Sequence, residues 1–256
     1  MVFTVDIGNT NIVLGAFDGD ELSFESRIST DPSKMEDQYA IEFSNIISLY
    51  GFSPKLFDGA IISSVVPPLL PLIKRAVRKL LNCKVLTIGP GIKTGLNIKI
   101  DNPAALGSDL VCCAVAAMNK YKMPCVIFDL GTATTITALD ANGGLLGGSI
   151  YPGVKISLDA LSTRTAQLPY INTEPIDSVI GTNTIESMRS GILYGTAGMI
   201  DGMVERYSAE LGGECVIVAT GGFANTVVPY CKSDIKVDNT LLLEGLYQIY
   251  KKNCAE

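Results

Sequence analysis

One short pattern occurs twice in this chain, and the repetition constrains the fold more than any other feature. Asp6-Ile7-Gly8-Asn9-Thr10 ends one apolar, β-prone run, and Asp129-Leu130-Gly131-Thr132-Ala133-Thr134 ends another about halfway along the 256 residues. After each pattern the sequence predicts two more strands joined by a hairpin turn, at Asp18-Gly19 in the first copy and at Asn142-Gly143 in the second. Two such patterns at matching strand ends indicate a duplicated unit.

Helix and strand patterns alternate after each set of three strands. The predicted helices are 36–50, 69–81, 109–120, 154–168, 183–211 and 240–252, and the predicted strands among them are 59–65, 84–88 and 215–220. Three antiparallel strands followed by β–α alternation, done twice, predict an α/β protein with duplicated ribonuclease-H-like domains, the actin-like ATPase architecture, around a nucleotide cleft. The predicted domains are 1–117 and 118–256.

The composition excludes several kinds of chemistry. The chain has no histidine, which removes His-based triads, His proton shuttles and the usual zinc sites. A net charge of −6 disfavours binding to nucleic acid or to anionic membranes, and no apolar run is long enough to span a bilayer. The seven cysteines form no CxxC pair and no signal peptide is visible, so we expect a cytoplasmic protein.

The two Asp-containing turns favour binding of ATP phosphates. Glycine allows a close approach of the backbone N–H groups, and the carboxylate suits hydrated Mg²⁺. One such turn alone would be an ordinary polar hairpin, but the pair favours a phosphate clamp. Thr220-Gly221-Gly222 follows an apolar strand, where it either admits a flat adenine ring or simply connects a strand to a helix.

Asp109 is the candidate general base. It follows a glycine at the head of an apolar helix, and in a chain without histidine a carboxylate is the natural acceptor of an alcohol proton. A capping role at the start of that helix is the alternative on these residues alone. Thr184 is similarly open, because Asn183 as cap with Glu186 three residues later predicts only a helix start there. Arg164 on its own fits a solvated surface.

Seven motifs in order resemble those of type III pantothenate kinases. They are DIGNTN at 6–11, SSVVPP at 63–68, NPxxxGxD ending at Asp109, DLGTATT at 129–135, Pro152-Gly153, GTNTxES at 181–187 and TGG at 220–222. The resemblance covers nearly the whole chain. It implies a member of the acetate and sugar kinase, Hsp70 and actin superfamily that phosphorylates pantothenate with ATP, the first step of coenzyme A synthesis.

The resemblance also implies roles for individual residues. The ATP phosphates would be lined by Asp6, Ile7, Gly8, Asn9, Thr10, Asn11, Ile12 and Val13, with Asp6 holding Mg²⁺ through water, and Thr132 would contact ATP. Asp129 would bind a monovalent cation, K⁺ or NH₄⁺. The pantothenate pocket would be lined by Gly107, Ser108, Asp109 and Leu110, with Asp109 as the base and Thr184 as a further contact. Family members are homodimers whose substrate pocket borders the partner subunit.

One position departs from the family pattern. The family commonly has Gly-x-Asp-Arg, and the fourth residue here is Leu110, so the substrate carboxylate needs another cationic partner. Arg164 is the candidate, since in the family its segment approaches the pocket from the partner subunit. Two alternatives remain on the sequence: a kinase or hydrolase of the same superfamily acting on another small alcohol or phosphoanhydride, and a non-catalytic nucleotide-binding regulator.

Overall fold

The computed structural model describes residues 1–254, and these form two compact units. The first unit contains Met1–Leu96, Asn102–Ala116 and 241–254, and the second contains Asn97–Asp101 and Ala117–Thr240. Each unit is built on its own five-stranded sheet.

The sheet of the first unit consists of β1 (Val2–Ile7), β2 (Asn11–Asp18), β3 (Glu21–Ser29), β4 (Gly59–Ser64) and β5 (Lys84–Thr87). The order across the sheet is β3-β2-β1-β4-β5. The pairs β1–β2 and β2–β3 are antiparallel, whereas β1–β4 and β4–β5 are parallel. Every residue of β1 is buried, as expected for a central strand that is covered on both faces.

The helices that accompany this sheet are α1 (Glu36–Leu49), α2 (Leu70–Leu81) and α3 (Ser108–Lys120), with short 3₁₀ helices at Pro54–Leu56 and Pro103–Ala105. The apolar faces of α1 and α2 pack on the sheet. Phe3 of β1 packs against Phe43 of α1 and against Phe57, with ring centroids 6.0 and 5.5 Å apart. All three rings are buried. Burial of each ring contributes about 1.5–3 kcal/mol to folding.

The second sheet repeats the first strand for strand. It contains β6 (Cys125–Leu130), β7 (Ala133–Leu139), β8 (Leu145–Pro152), β9 (Val216–Thr220) and β10 (Lys236–Val237). The order is β10-β9-β6-β7-β8, with β6–β7 and β7–β8 antiparallel and β6–β9 and β9–β10 parallel. Since both sheets have the same connectivity, the predicted duplication is present in the structure.

The helices of the second unit are α4 (Val154–Arg164), α5 (Thr184–Glu210) and α6 (Ala224–Val227), followed by a 3₁₀ turn at Val228–Tyr230. Together with β6 and β9 they enclose a second apolar core that includes Phe128, Leu130 and Ile200. Among the helices that the structure describes, none combines the length and apolarity needed to cross a membrane.

The closing helix α7 (Leu241–Cys254) packs in the first unit, against β1 and β4. Gly245 makes this close packing possible, because a Cβ at that position would overlap the carbonyl group of Cys112 in α3. The predicted division at residue 117 assigns this helix to the second half of the chain, and the division into domains stays a prediction. The amphipathic pattern of 240–252 indicates a helix with a buried face but does not indicate which sheet covers it.

Two local predictions were wrong, and one short strand was missed. The first hairpin turns at Gly19-Asp20, one residue later than predicted, with Gly19 at φ +56°. The helix predicted for 154–168 ends at Arg164. At this end the Thr165 hydroxyl donates to the Leu161 carbonyl at 2.8 Å, the acceptor that the Thr165 N–H would use if the helix continued. The two-residue strand β10 was not predicted, because two residues carry no periodicity.

Candidate active site

In the first unit, several of the family motifs meet at the carboxyl edge of the parallel strands β1 and β4. Asp6 lies opposite Ser63 in the parallel register, and Ile7 lies opposite Ser64. The Asp6 residue is buried, with 8% of its surface exposed. Ligands of α/β sheets bind at this kind of edge, so the structure brings DIGNT and SSVVPP together where a ligand is expected.

Thr30, the first residue after β3, holds the turn after β1 by hydrogen bonds. The Gly8 N–H donates to the Asn11 carbonyl at 2.9 Å, which closes the turn. The Thr30 hydroxyl donates to the Gly8 carbonyl at 2.6 Å, and the Thr30 N–H donates to the Thr10 carbonyl at 2.9 Å. These bonds fix the peptide planes of the turn, while Asn9 and Thr10 remain exposed. Sequence reasoning missed Thr30, which belongs to none of the motifs.

Asp109 lies within the first turn of α3, since that helix begins at Ser108, and not at the N-cap. Its Oδ1 accepts a hydrogen bond from the Leu110 N–H at 2.9 Å. Burial raises the pKa of Asp109 above its ordinary value, and hydrogen bonds from the backbone of Leu110 and of Asp109 itself oppose that rise. A carboxylate with a raised pKa is a better proton acceptor near neutral pH.

Three hydrogen bonds attach the start of α3 to the end of β4. The Ser63 hydroxyl donates to Ser108 Oγ at 2.9 Å, and the Ser64 N–H donates to the same oxygen at 3.1 Å. The Ser108 hydroxyl in turn donates to the Ser64 carbonyl at 3.0 Å. The residue before the candidate base is therefore anchored to the strand that neighbours Asp6.

Cys112 lies one helical turn after Asp109 on α3, and the charges of both Asp6 and Asp109 act on its thiol. Its side chain is completely buried. Burial raises the pKa of the Cys112 thiol well above its ordinary value, the negative charges of Asp6 and Asp109 raise it further, and a hydrogen bond with Ser63 opposes the rise. The thiol thus stays protonated and inert beside the two acids. No sequence motif pointed to it.

In the second unit the corresponding edge carries Asp129. It lies opposite Thr220 in the parallel register of β6 and β9. Gly221 follows with φ +90°, and a Cβ there would overlap the Asp129 carboxylate and lie 2.8 Å from the Leu130 nitrogen. The Phe223 N–H donates to the Leu130 carbonyl at 3.1 Å. The TGG motif therefore folds directly over the end of the strand that bears Asp129.

Gly153 brings the Pro152-Gly153 motif to the same edge. Ala133 pairs with Pro152 in the antiparallel register of β7 and β8, and Gly153 then caps α4. A Cβ at Gly153 would overlap the Thr132 carbonyl and lie 2.7 Å from the Gly131 oxygen. Thr132 itself is exposed. Three motifs of the second unit are thus in backbone contact at one edge of its sheet.

The other two predicted site residues, Thr184 and Arg164, lie at the ends of helices in the second unit. Thr184 is the exposed first residue of α5, and Asn183 caps this helix by accepting from the Glu186 N–H at 3.0 Å, which confirms the predicted cap. Arg164 is the exposed last residue of α4. Within residues 1–254 it makes no ion pair.

The donor groups suit a metal ion that arrives with the nucleotide. In the part of the chain that the structure describes, no three Cys, Asp or Glu side chains form a cluster that would hold a metal by themselves. Asp6 supplies a single buried carboxylate at the edge of the first sheet. Mg²⁺ characteristically retains several waters and uses one or two carboxylates together with substrate phosphates, so this donor set fits Mg²⁺.

Comparison with known proteins identifies the family to which this chain belongs. The family profile described as type III pantothenate kinase matches residues 2–206. A type III pantothenate kinase from Brevibacillus brevis (strain 47 / JCM 6285 / NBRC 100599) is 45% identical over 253 residues, which cover 99% of each chain.

This chain belongs to the type III pantothenate kinase family. The resemblance found in the ordered motifs is therefore confirmed. Among solved structures, a Baf family transcriptional activator from Campylobacter jejuni has a TM-score of 0.63 at 20% identity, over 98% of each chain. A ROK hexokinase from Thermus thermophilus has a TM-score of 0.52 at 12% identity, over 98% of this chain and 99% of the hexokinase. At these identities the likeness shows the fold alone, and the predicted actin-like ATPase fold is confirmed.

Proposed function

We propose that this chain is an ATP:pantothenate phosphotransferase, which makes 4'-phosphopantothenate in the first step of coenzyme A synthesis. The observation that carries the proposal is family membership over almost the entire chain. The fold supports it, because each unit presents an acidic residue and a glycine turn at the carboxyl edge of its sheet.

In the proposed reaction Asp109 is the general base. The primary hydroxyl of pantothenate loses its proton to the Asp109 carboxylate as its oxygen forms a bond to the γ-phosphorus. The bond from that phosphorus to the bridging oxygen breaks, and ADP leaves. Such transfers depend mainly on positioning and electrostatics. The raised pKa of Asp109 and its anchored helix turn support this role.

ATP is proposed to bind residues 6–13 and Thr132. The turn that Thr30 holds offers backbone N–H groups of fixed orientation, which is the usual way in which glycine turns bind phosphate. Mg²⁺, held by Asp6 through water, would offset the charge of the phosphate oxygens. Adenine contacts are proposed for the TGG segment at Thr220, which lies at the same edge as Asp129.

A monovalent cation, K⁺ or NH₄⁺, is proposed at Asp129. A carboxylate beside triphosphate oxygens is disfavoured unless a cation lies next to both. Replacing K⁺ by Li⁺, or by a bulky organic cation, at constant ionic strength should therefore lower the rate strongly. Equal rates in the three salts would exclude a dedicated site at Asp129.

Pantothenate is proposed to contact Gly107, Asp109, Leu110 and Thr184, in a homodimer where Arg164 reaches the neighbouring subunit's pocket and binds the substrate carboxylate. Leu110 supports this arrangement, since it offers no charge.

We also propose a cytoplasmic location and the domain division at residue 117. The cysteine pattern supports the first, as does the use of ATP as a substrate. The shared strand order of the two sheets supports the second.

A coupled ADP-release assay tests the proposed function. The purified protein is assayed with Mg·ATP and pantothenate, with water alone, and with a panel of other small primary alcohols, each with and without K⁺. ADP release that requires pantothenate is expected, and the phosphorylated product is checked by mass spectrometry. Release with water alone would indicate a hydrolase, release with another alcohol a different kinase, and binding of ATP without release a non-catalytic regulator. Light scattering on the same sample measures whether the active species is a dimer.

A further inference from the structure

The SSVVPP motif has no part in the proposed chemistry, yet its two serines occupy the strand end beside Asp6. Ser63 is completely buried, and its hydroxyl donates to Ser108 Oγ at 2.9 Å. The backbone of Ser64 also bonds to Ser108: its N–H donates to Ser108 Oγ at 3.1 Å, and its carbonyl accepts from that hydroxyl at 3.0 Å. The buried hydroxyl of Ser63 is thus hydrogen-bonded to a residue 45 positions away, and this long-range contact suggests a specific role for the two serines.

The hydrogen bonds of Ser108 use all of its hydroxyl's capacity. A serine hydroxyl donates once and accepts twice. Here Oγ accepts from Ser63 and from the Ser64 N–H, and it donates to the Ser64 carbonyl. The hydroxyl therefore has no capacity left for a substrate, although the resemblance assigns Ser108 to the substrate pocket.

The same bonds relate the base to the phosphate-binding strand. Ser63 is the register partner of Asp6, and Ser108 directly precedes Asp109. One turn further along α3, the Cys112 side chain also has a hydrogen bond with Ser63. Displacement of the start of α3 would move Asp109 relative to Asp6.

We propose that Ser63 and Ser108 form a positioning pair, which fixes the general base Asp109 relative to Asp6 and does not itself contact substrate. This inference rests on the proposed function for the role of Asp109. Ser64 takes part through its backbone alone, because its own hydroxyl is bound to Val66, donating to the carbonyl at 3.2 Å and accepting from the N–H at 3.1 Å.

Steady-state kinetics of Ser108→Ala, Ser63→Ala and the double variant test the pair. Misplacement of a base by a fraction of a helical turn should lower kcat by roughly 10–100-fold. The KM values for ATP and pantothenate should change less than about threefold, because no ground-state contact is lost. The double variant should be little slower than Ser108→Ala alone, since the hydrogen bond between Ser63 and Ser108 is already lost in that single variant. Ser108→Thr keeps the hydroxyl and should recover most of the turnover.

A second measurement follows Asp109 itself and needs no activity. Titration of the ¹³C-labelled Asp109 carboxyl by NMR should show its pKa shifted towards the ordinary aspartate value in Ser108→Ala, as the loosened turn admits water. Ser149→Ala is the matched control, because it breaks another hydroxyl–hydroxyl pair, Ser149 with Tyr207 at 2.7 Å, in the middle of β8. It should change neither kcat nor the titration.

Two results would overturn the proposal. A raised pantothenate KM with unchanged kcat in Ser108→Ala would make its hydroxyl a substrate contact. An unchanged Asp109 titration in a folded Ser108→Ala protein would show that the pair does not position the base. If Ser108→Ala does not fold, Ser63→Ala and Ser108→Thr carry the same measurements. Wild-type protein that fails to phosphorylate pantothenate would refute the proposed function, whereas the titration would still test the pair.

Discussion

At equivalent places after the third strand of each sheet, the chain has Thr30 in the first unit and Gly153 in the second. Thr30 holds the adjoining turn through its hydroxyl and its N–H, at 2.6 and 2.9 Å. Gly153 instead lies so close to its turn that any side chain would overlap the Thr132 carbonyl. The same topology therefore orients one turn by side-chain hydrogen bonding and the other by backbone packing.

The two units also differ at the strand beside the one that ends in aspartate, which is β4 beside β1 in the first unit and β9 beside β6 in the second. Ser63, opposite Asp6, is hydrogen-bonded to the helix that carries Asp109. Thr220, opposite Asp129, leads into Gly221, whose missing Cβ lets the chain fold over the carboxylate. We infer that the first edge is specialised for placing a reactive side chain, and the second for close approach of the backbone to a ligand.

The largest expected effect comes from removing Asp109, the proposed general base of the first unit. Asp109→Asn should keep the fold and ATP binding but lower turnover by about 10²–10⁴, the range for a positioned base. The wild-type rate should fall with decreasing pH as Asp109 is protonated, at a pH above the ordinary aspartate pKa of about 3.9. If Asp109→Asn kept more than about a third of the wild-type turnover, Asp109 would not be the general base.

The same substitution has an expected sign in stability. Because the pKa of Asp109 is raised in the folded state, its contribution favours folding at low pH and is lost as pH rises through that folded-state pKa. Asp109→Asn should therefore unfold at the same temperature as wild type or higher at pH 7. Calorimetry at pH 7 and at pH 4 measures this, and the difference between the two proteins should shrink at the lower pH.

The next largest effect tests backbone packing at the second edge. Gly221→Ala must adopt φ near +90° and also overlap Asp129, whereas Gly212→Ala adopts φ near +89° with open space around its Cβ. The control should lose about 1–2 kcal/mol, the cost of a left-handed conformation. Gly221→Ala should lose more and should also weaken the dependence on K⁺. Equal losses in urea unfolding would show that close packing at Gly221 is unimportant.

A smaller effect is expected if the second unit supplies the cation that Leu110 cannot. Arg164→Ala should raise the pantothenate KM about tenfold or more and leave the ATP KM nearly unchanged, as for loss of a charge-assisted contact of about 1.5–3 kcal/mol. Arg78→Ala is the control, since Arg78 is also exposed but lies on α2. A normal KM in Arg164→Ala, or a fully active monomer, would refute the compensation.

The smallest effect concerns the turn that Thr30 holds. Thr30→Val keeps the shape and the backbone bond but loses the hydroxyl, a net change of about 1 kcal/mol, so the ATP KM should rise roughly fivefold. Thr30→Ser keeps the hydroxyl and should behave like wild type. If Val and Ser variants have the same ATP KM, the first turn is held by packing, as the second one is, and the contrast between the edges disappears.

The sequence by itself determined the duplicated topology, the strand ends that carry Asp6 and Asp129, and the family. These features are local: apolar periodicity, turn residues and short motifs are readable wherever they occur, and two copies of one pattern reinforce each other. The absence of histidine was equally decisive, because it limits the base to a few residue types. Element ends were less certain, as at Arg164, where the Thr165 hydroxyl takes the place of a backbone N–H at the Leu161 carbonyl.

Only the tertiary structure decided which distant residues support the site. Thr30 lies 22 positions from Gly8, Ser63 lies 45 positions from Ser108, and the charges of Asp6 and Asp109 both act on the Cys112 thiol. It also placed α7 on the first sheet, where Gly245 meets Cys112. A polar or small residue has the same local pattern whether its partner is near or far along the chain. Its role is fixed by which backbone groups packing leaves beside it, and each of those must be hydrogen-bonded when water is excluded.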